Sequence, residues 1–246
     1  MMGVTPQYRG TMRNYVIAFG SLFDDIDIQR KNSMGEVIKT IRVPISYGPS
    51  QKYISRINFD AKSSSLILPR LSFEISGITY DSSRKLSKLG GYVGTTEDGD
   101  KKTFVYNPVP WDINMTLSLL VKNAEDGTQI LEQILPFFVP SFIVPIKEVE
   151  ELGIVRDTPI VLNSVSVSDD YEGDYSTRRV LEWSLDFTIK GYLYGSSKES
   201  PIIRSAETNL ADLNTNNKYR KTTVTPDPED ASPNNDYGFN SSVEDF

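Results

Sequence analysis

The sequence predicts an α+β fold: a mixed, mostly antiparallel sheet with a few packed helices, extended loops and a flexible C-terminal tail. Three observations predict it. Residues 181–189 alternate without a fault, with Leu181, Trp183, Leu185, Phe187 and Ile189 on one side and Glu182, Ser184, Asp186 and Thr188 on the other. A period of two fits a strand with one face in a core and one in water. The same period recurs at 111–122, where Ile113, Met115, Leu117, Leu119 and Val121 share a face. Between these runs lies a helix-like segment ending in Ile134-Leu135-Pro136-Phe137-Phe138.

In chain order, residues 12–23 carry a helical stripe of Met12, Val16, Phe19 and Phe23, with Tyr15 and Leu22 at its edges. Ile26 and Ile28 alternate with acids and Gln29 in a short strand, and Asn32-Ser33-Met34-Gly35 supplies turn chemistry before a return strand at 37–45. Pro44 cannot donate to a ladder and places that strand's end at a sheet edge or a bend. Ser50 suits the start of a short helix carrying Tyr53, Ile54 and Ile57. Residues 66–80 form a strand interrupted at Pro69, with Leu71, Phe73 and Ile75 inward. Residues 81–103 read as a long exposed loop or β-arm, and Pro108 and Pro110 mark another edge or bend. Asn123, Glu125 and Asp126 suit a helix start, where carboxylates meet the positive end of the dipole. Ile130, Leu131, Ile134 and Leu135 make that helix's buried side, and Pro136 closes it. Phe142–Val144 and Ile160–Leu162 are short apolar strands, followed by an acidic turn at 169–176 and a final strand at 179–194. Residues 1–195 therefore read as one α+β domain. Residues 196–246, rich in Ser, Asn, Thr, Pro and Asp, read as a polar, acidic, largely flexible tail with sparse anchors at Ile202, Ile203, Leu210, Leu213, Tyr237, Phe239 and Phe246.

Composition narrows the chemistry. The 246 residues hold 26 basic and 33 acidic side chains, a net charge of −7. Every charged residue after Lys221 is acidic (Asp227, Glu229, Asp230, Asp236, Glu244 and Asp245), which leaves −1 for residues 1–221. A near-neutral folded region argues against a surface that grips phosphate backbone through many cations. The chain has no cysteine and no histidine, which removes disulfides, thiolate metal sites and imidazole-based triads. No long apolar run and no apolar signal-peptide core appear, so a soluble protein made in a cytoplasm, without a membrane partner, is expected.

The candidate chemistry is thin. Asp24, Asp25 and Asp27, and again Asp169, Asp170, Glu172 and Asp174, suggest hard-cation ligation, but Leu181 stands where a bidentate Glu is needed if Asp170 opens the loop. Solvated turn acids account for both clusters, and the same residues make a poor carboxylate pair for a hydrolase. Gly90-Gly91-Tyr92-Val93-Gly94 lacks the Gly-Lys-Ser/Thr ending of a phosphate loop. Arg84, Lys85, Lys88, Lys101 and Lys102 interleave with Tyr80, Tyr92 and Phe104, but Asp81, Glu97, Asp98 and Asp100 dilute any nucleic-acid patch into a solvated arm. Arg178-Arg179 beside Glu182 fits either an inter-subunit ion pair or an ordinary strand-end salt bridge. No catalytic residue, metal site or cofactor is expected.

Five stretches in order carry a resemblance. They are Ile41-Arg42-Val43-Pro44-Ile45-Ser46-Tyr47; Ile67-Leu68-Pro69-Arg70; Tyr106-Asn107-Pro108-Val109-Pro110; Glu132-Gln133-Ile134-Leu135-Pro136-Phe137-Phe138-Val139-Pro140; and Arg178-Arg179-Val180-Leu181-Glu182-Trp183-Ser184-Leu185. Each is weak alone, but together, across 12–194, the chain resembles the tail completion and sheath stabiliser proteins, or tail terminators, of T4-like contractile-tailed bacteriophages. The resemblance implies an α+β fold and a non-enzymatic virion protein. It implies a homohexameric ring at the head-proximal end of the tail, in the neck region. Such a ring caps the tube, stabilises the extended sheath and offers the head-tail joining surface. The implied partners are the tail sheath protein, the tail tube or a tube-terminating protein, and neck proteins, with DNA passing through the ring without specific binding. The competing expectations are a neck or connector adaptor of the same particle and a carboxylate-based tail hydrolase.

Overall fold

The computed structural model describes residues 8–59, 68–95, 101–149, 152–169, 180–201, 203–211, 218–231 and 236–246. In chain order the elements are α1 (Thr11–Ser21), β1 (Asp27–Lys31), β2 (Val37–Arg42), β3 (Ile45–Tyr47), α2 (Ser50–Phe59), β4 (Arg70–Tyr80), β5 (Gly91–Thr95) and β6 (Lys101–Tyr106). Then come β7 (Val109–Val121), α3 (Ala124–Ile134) with a 3-10 turn at Leu135–Phe137, β8 (Ser141–Val149), β9 (Ile154–Asp169) and β10 (Leu181–Leu193). The chain closes with β11 (Lys198–Pro201), β12 (Ala206–Ala211), β13 (Lys218–Asp227) and β14 (Gly238–Asp245). These elements form two compact units.

The larger unit comprises Tyr8–Leu86 and Pro108–Tyr194. Its six-stranded sheet has the order β3-β4-β7-β10-β9-β8, with β3 parallel to β4 and every other pair antiparallel. The two alternating runs of the sequence are its centre. They pair along their whole length, from Leu181↔Val121 to Leu193↔Val109. That register sets Trp183 opposite Leu119, Leu185 opposite Leu117 and Phe187 opposite Met115, so one face becomes a continuous apolar surface. Ile113, Met115, Leu117, Leu119, Val121, Leu185 and Ile189 are fully buried.

Helix α1 packs on this face through Phe19, whose ring lies 5.1 Å from Phe23, 5.5 Å from Phe73 and 5.2 Å from Phe187. The opposite face is polar. Ser72, Ser118, Ser184 and Ser166 stand in register across four strands, followed by Glu74, Thr116, Asp186 and Ser164. Asp186 accepts from Thr116 Oγ1 at 3.0 Å and from Ser164 Oγ at 2.9 Å, a set of cross-strand bonds that fixes the pairing.

Both sheet edges are blunted. Edge strand β8 contains Pro145, and its carbonyls at Lys147 and Glu148 accept from Asn14 Nδ2 at 3.2 Å and Thr11 Oγ1 at 3.4 Å of α1. Edge strand β3 has only three residues. Pro44 precedes it, as the sequence suggested, and Gly48 ends it at φ 146°, donating to Phe73 O at 2.8 Å.

A buried polar network ties α1 to the sheet. Glu148 is 2% exposed. The Tyr15 hydroxyl donates to its Oε1 at 2.7 Å and accepts from the Tyr192 N–H at 2.8 Å, while Arg156 Nε donates to Oε2 at 3.1 Å. Burial, and next the Glu148 charge, hold the Tyr15 hydroxyl well above the ordinary tyrosine range. The unfolded chain loses that proton near pH 10 and the folded chain keeps it, so stability declines as pH climbs past about 10, by about 1.4 kcal/mol per pH unit. Tyr15→Phe should flatten this decline when urea midpoints are compared at pH 9, 10 and 11; parallel curves for the two proteins would contradict the assignment.

The smaller unit draws on 87–107 and 195–246. One three-stranded sheet runs β11-β6-β5 and another β12-β13-β14. The region read as loop or β-arm is thus a β-hairpin, Gly91↔Tyr106 to Thr95↔Lys102.

Three expectations need correction. Where a largely flexible tail was expected, the described residues of 196–246 form four strands. Their pairing rests on backbone ladders, β-branched Thr222, Thr223, Val224 and Thr225, and charge matching, which hydrophobicity does not register. Arg220 meets Asp245 at 2.6 Å and Lys221 meets Glu207 at 3.0 Å, so part of the apparent acidic excess is compensated across strands. Tyr15 sits at the centre of the buried stripe and not its edge, because its hydroxyl has the partners above. Leu135, expected inside, is 40% exposed because the chain leaves the helix at Ile134 for the 3-10 turn. Strands β8 and β9 are also longer than their apolar cores, since their flanks carry polar residues on an open face.

Candidate protein-binding surface

Where α1 ends, Leu22, Phe23 and Ile26 follow in the connection to β1, with Phe23 5.6 Å from Phe187 of the sheet. Where α3 ends, Pro136 has no N–H to continue the helix, and the chain bends through the 3-10 turn toward β8. These two helix ends leave an apolar groove of about 600 Å³ lined by Leu22, Phe23, Ile26, Ile134, Pro136, Phe137, Phe138 and Phe142. Phe138 forms its floor, 5.1 Å from Phe187, 6.1 Å from Phe142 and 6.3 Å from Phe23. Phe137, which also lines the groove, is 65% exposed. Large apolar side chains gathered at one surface mark a contact site more often than chance exposure does.

The rim is polar and acidic. Glu132, Gln133 and Asp25 line it. Arg42 Nη2 lies 2.6 Å from Asp25 Oδ1 and 3.4 Å from Asp24 Oδ2, so one guanidinium serves two carboxylates, while Asp27 and Glu132 are exposed. The groove walls are held by α3 acting on the open side of β1. Gln129 Oε1 accepts from the Gln29 N–H at 3.0 Å, Gln129 Nε2 donates to Gln29 O at 3.2 Å, and Gln133 Nε2 donates to Asp27 O at 2.7 Å. Side-chain amides here stand in for a missing ladder strand. Arg30 grips the buried Asp126 with both guanidinium nitrogens, fixing the first turn of α3. No nucleophile with an adjacent base lines this groove, and it is suited to binding.

The residues singled out in the sequence fall in several places. Glu132, Gln133 and Pro136 line the groove, and Arg42 reaches it through Asp25. Pro44, Tyr47, Pro69 and Arg70 build the β3 edge. Tyr47 packs on Phe73 at 5.4 Å, Pro69 is buried after a cis peptide, and Arg70 lies 5.4 Å over Tyr53 and donates to Ser46 Oγ at 3.3 Å. Tyr106 and Asn107 belong to the smaller unit, with Tyr106 4.8 Å from Phe104 and Asn107 Nδ2 donating to Ser87 O at 2.9 Å. Pro108 is buried. Trp183 packs beneath α3 at Gly127, where a Cβ would stand 2.6 Å from Nε1, so only glycine permits this approach. Glu182 lies on the other face of β10. Arg178 and Arg179, and with them the proposed pairing to Glu182, lie outside the described residues, as do Asp170, Glu172 and Asp174.

Sequence reasoning took 134–138 for a helix ending and Phe142 for part of a short strand, and missed Phe137, Phe138 and Phe142 as a surface. The signal was present: two prolines bracket Phe137-Phe138-Val139, three large apolar residues that neither helical nor strand period can bury together. Among the described residues, no group of three or more acidic side chains is placed to hold a metal ion, and no helix is long and apolar enough to cross a membrane.

Comparison with known proteins identifies a family and a relative. The family model of the T4-like virus Myoviridae tail sheath stabiliser matches residues 6–246. The tail completion protein gp15 of Enterobacteria phage T4 is 31% identical over 197 residues, which span 76% of this chain and 71% of that protein. The family match continues past residue 194, where the resemblance in the sequence stopped, through the strands of the smaller unit.

Proposed function

Because this chain belongs to the T4-like virus tail sheath stabiliser family, we propose that it completes the tail of a contractile-tailed phage and holds the sheath in its extended form. In this reading it acts as a homohexameric ring at the head-proximal end, seated on the tube end and the last sheath ring. It presents its outer surface to the neck and passes DNA through its opening without specific binding. The observation that carries the reading is the match over residues 6–246, which leaves almost none of the chain for a different task. The geometry supports it. The larger unit carries an apolar groove with clamped walls, a surface suited to a partner, while its two blunted sheet edges disfavour association by strand pairing.

The test is a phage in which the gene is disabled and supplied in trans. Without the protein, electron micrographs should show tails with unstable or contracted sheaths and few attached heads; supplying it should restore full particles. Normal tails with intact extended sheaths and joined heads in its absence would overturn the proposal. Purified protein should also co-sediment with extended tails, whereas binding to isolated capsids alone would favour a neck adaptor.

A further inference from the structure

A closed ring of identical subunits needs a heterologous contact, in which one surface patch of each copy meets a different patch on the next. The groove described above is one such patch: its floor is Phe138, with Phe137 and Phe142 lining it beside that floor, and its rim carries more carboxylate than the single Arg42 guanidinium balances. Its complement must be an exposed apolar residue flanked by uncompensated cations. The smaller unit carries this combination at the base of the β5–β6 hairpin. Leu89 is 93% exposed, the most open large apolar side chain among the described residues, and Val93 is 63% exposed. Lys88 is exposed beside Leu89, and Lys102 is exposed on the partner strand opposite Thr95.

We propose that the hairpin base of one copy, with Leu89 as the apolar knob and Lys88 beside it, seats in the groove of a second copy of this chain. Leu89 fills the space above Phe138, and Lys88 pairs with Glu132 on the rim. The pairing is specific to the base of the hairpin, because the sequence joining β5 to β6 carries Glu97, Asp98 and Asp100, whose charge has the same sign as the rim. This inference rests on the ring reading of the preceding subsection, and it names the contact that would close that ring.

The chain has no cysteine, so a single introduced pair reports on this contact without interference. Tails assembled in vivo with Leu89→Cys/Phe137→Cys protein should give, under oxidising conditions, a ladder of covalent species running from dimer toward hexamer. Each single-cysteine variant, which also serves as a folding and assembly control, should remain monomeric on the same gel. A charge test runs in parallel: Lys88→Glu and Glu132→Lys should each reduce ring recovery, and the two together should restore it. Tails that contain the double-cysteine protein but yield only monomer, or a faster-migrating internally linked monomer, would overturn this contact and leave the ring reading intact. Absence of the protein from purified tails would overturn the ring reading, and this contact with it.

Discussion

Phe19→Ala should lower the stability of the larger unit by about 3–5 kcal/mol, the usual range for a fully buried phenylalanine. The reason is the number of elements that meet at one ring. Phe19 is fully buried and touches Phe23 at the end of its own helix, Phe73 on β4 and Phe187 on β10, all at ring separations of 5.1–5.5 Å. Removing it strips each neighbour of an edge or tilted contact, and stiff aromatic rings anchored on a sheet cannot close over the space left behind. Gly20 sharpens the effect, because a Cβ there would stand 2.8 Å from the Phe73 ring, so α1 already lies as close to the sheet as the backbone allows. Both tryptophans, Trp111 and Trp183, belong to this unit, so urea unfolding followed by their fluorescence reads it directly. The midpoint should fall with the slope unchanged. A loss below about 1 kcal/mol would mean that helix α1 contributes little to the unit's cohesion.

The parts of this fold that the sequence disclosed are those where a period of two or of 3.6 coincides with burial on one face. Strands β7 and β10 were legible because alternate residues along both meet a single core, whereas their pairing, which sets Leu117, Leu119 and Met115 opposite Leu185, Trp183 and Phe187, has no local signature and came from the structure. Helices α1 and α3 were legible for the same reason, although Tyr15 was misplaced because its ring reads as amphipathic until its hydroxyl's partners are known. The strands of 198–245 escaped because neither periodicity nor hydrophobicity speaks for a sheet that exposes most of its side chains. Their evidence lay in pairings such as Arg220 with Asp245, which link residues 25 positions apart and have no local signature. The groove escaped for a related reason. Leu22, Phe23, Pro136 and Phe142 lie in three segments, and only the fold brings them together. What remained visible was chemical: a chain without histidine or cysteine offers contact surfaces more readily than reagents.

Arg156→Met should be nearly as costly as the loss of Phe19, at about 3–5 kcal/mol, although the residue replaced is polar and partly open to solvent. Glu148 is the cause. Its carboxylate is 2% exposed, one oxygen accepts from Tyr15 at 2.7 Å and the other from Arg156 at 3.1 Å. The guanidinium also lies 4.4 Å over the Tyr192 ring, so its position is set from two directions. Methionine fills a similar volume beside Tyr192 but leaves a buried negative charge with one neutral hydroxyl as support. The uncompensated carboxylate then draws water into the interface between α1 and β8 and loosens it. The double variant Glu148→Gln/Arg156→Met separates this account from simple loss of packing. Removing both charges should recover more than half of the stability lost in the single variant, because the penalty belongs to the uncompensated carboxylate and not to the missing guanidinium. Equal instability of the single and double variants in urea unfolding would place the cost in the arginine's contacts with Tyr192 instead.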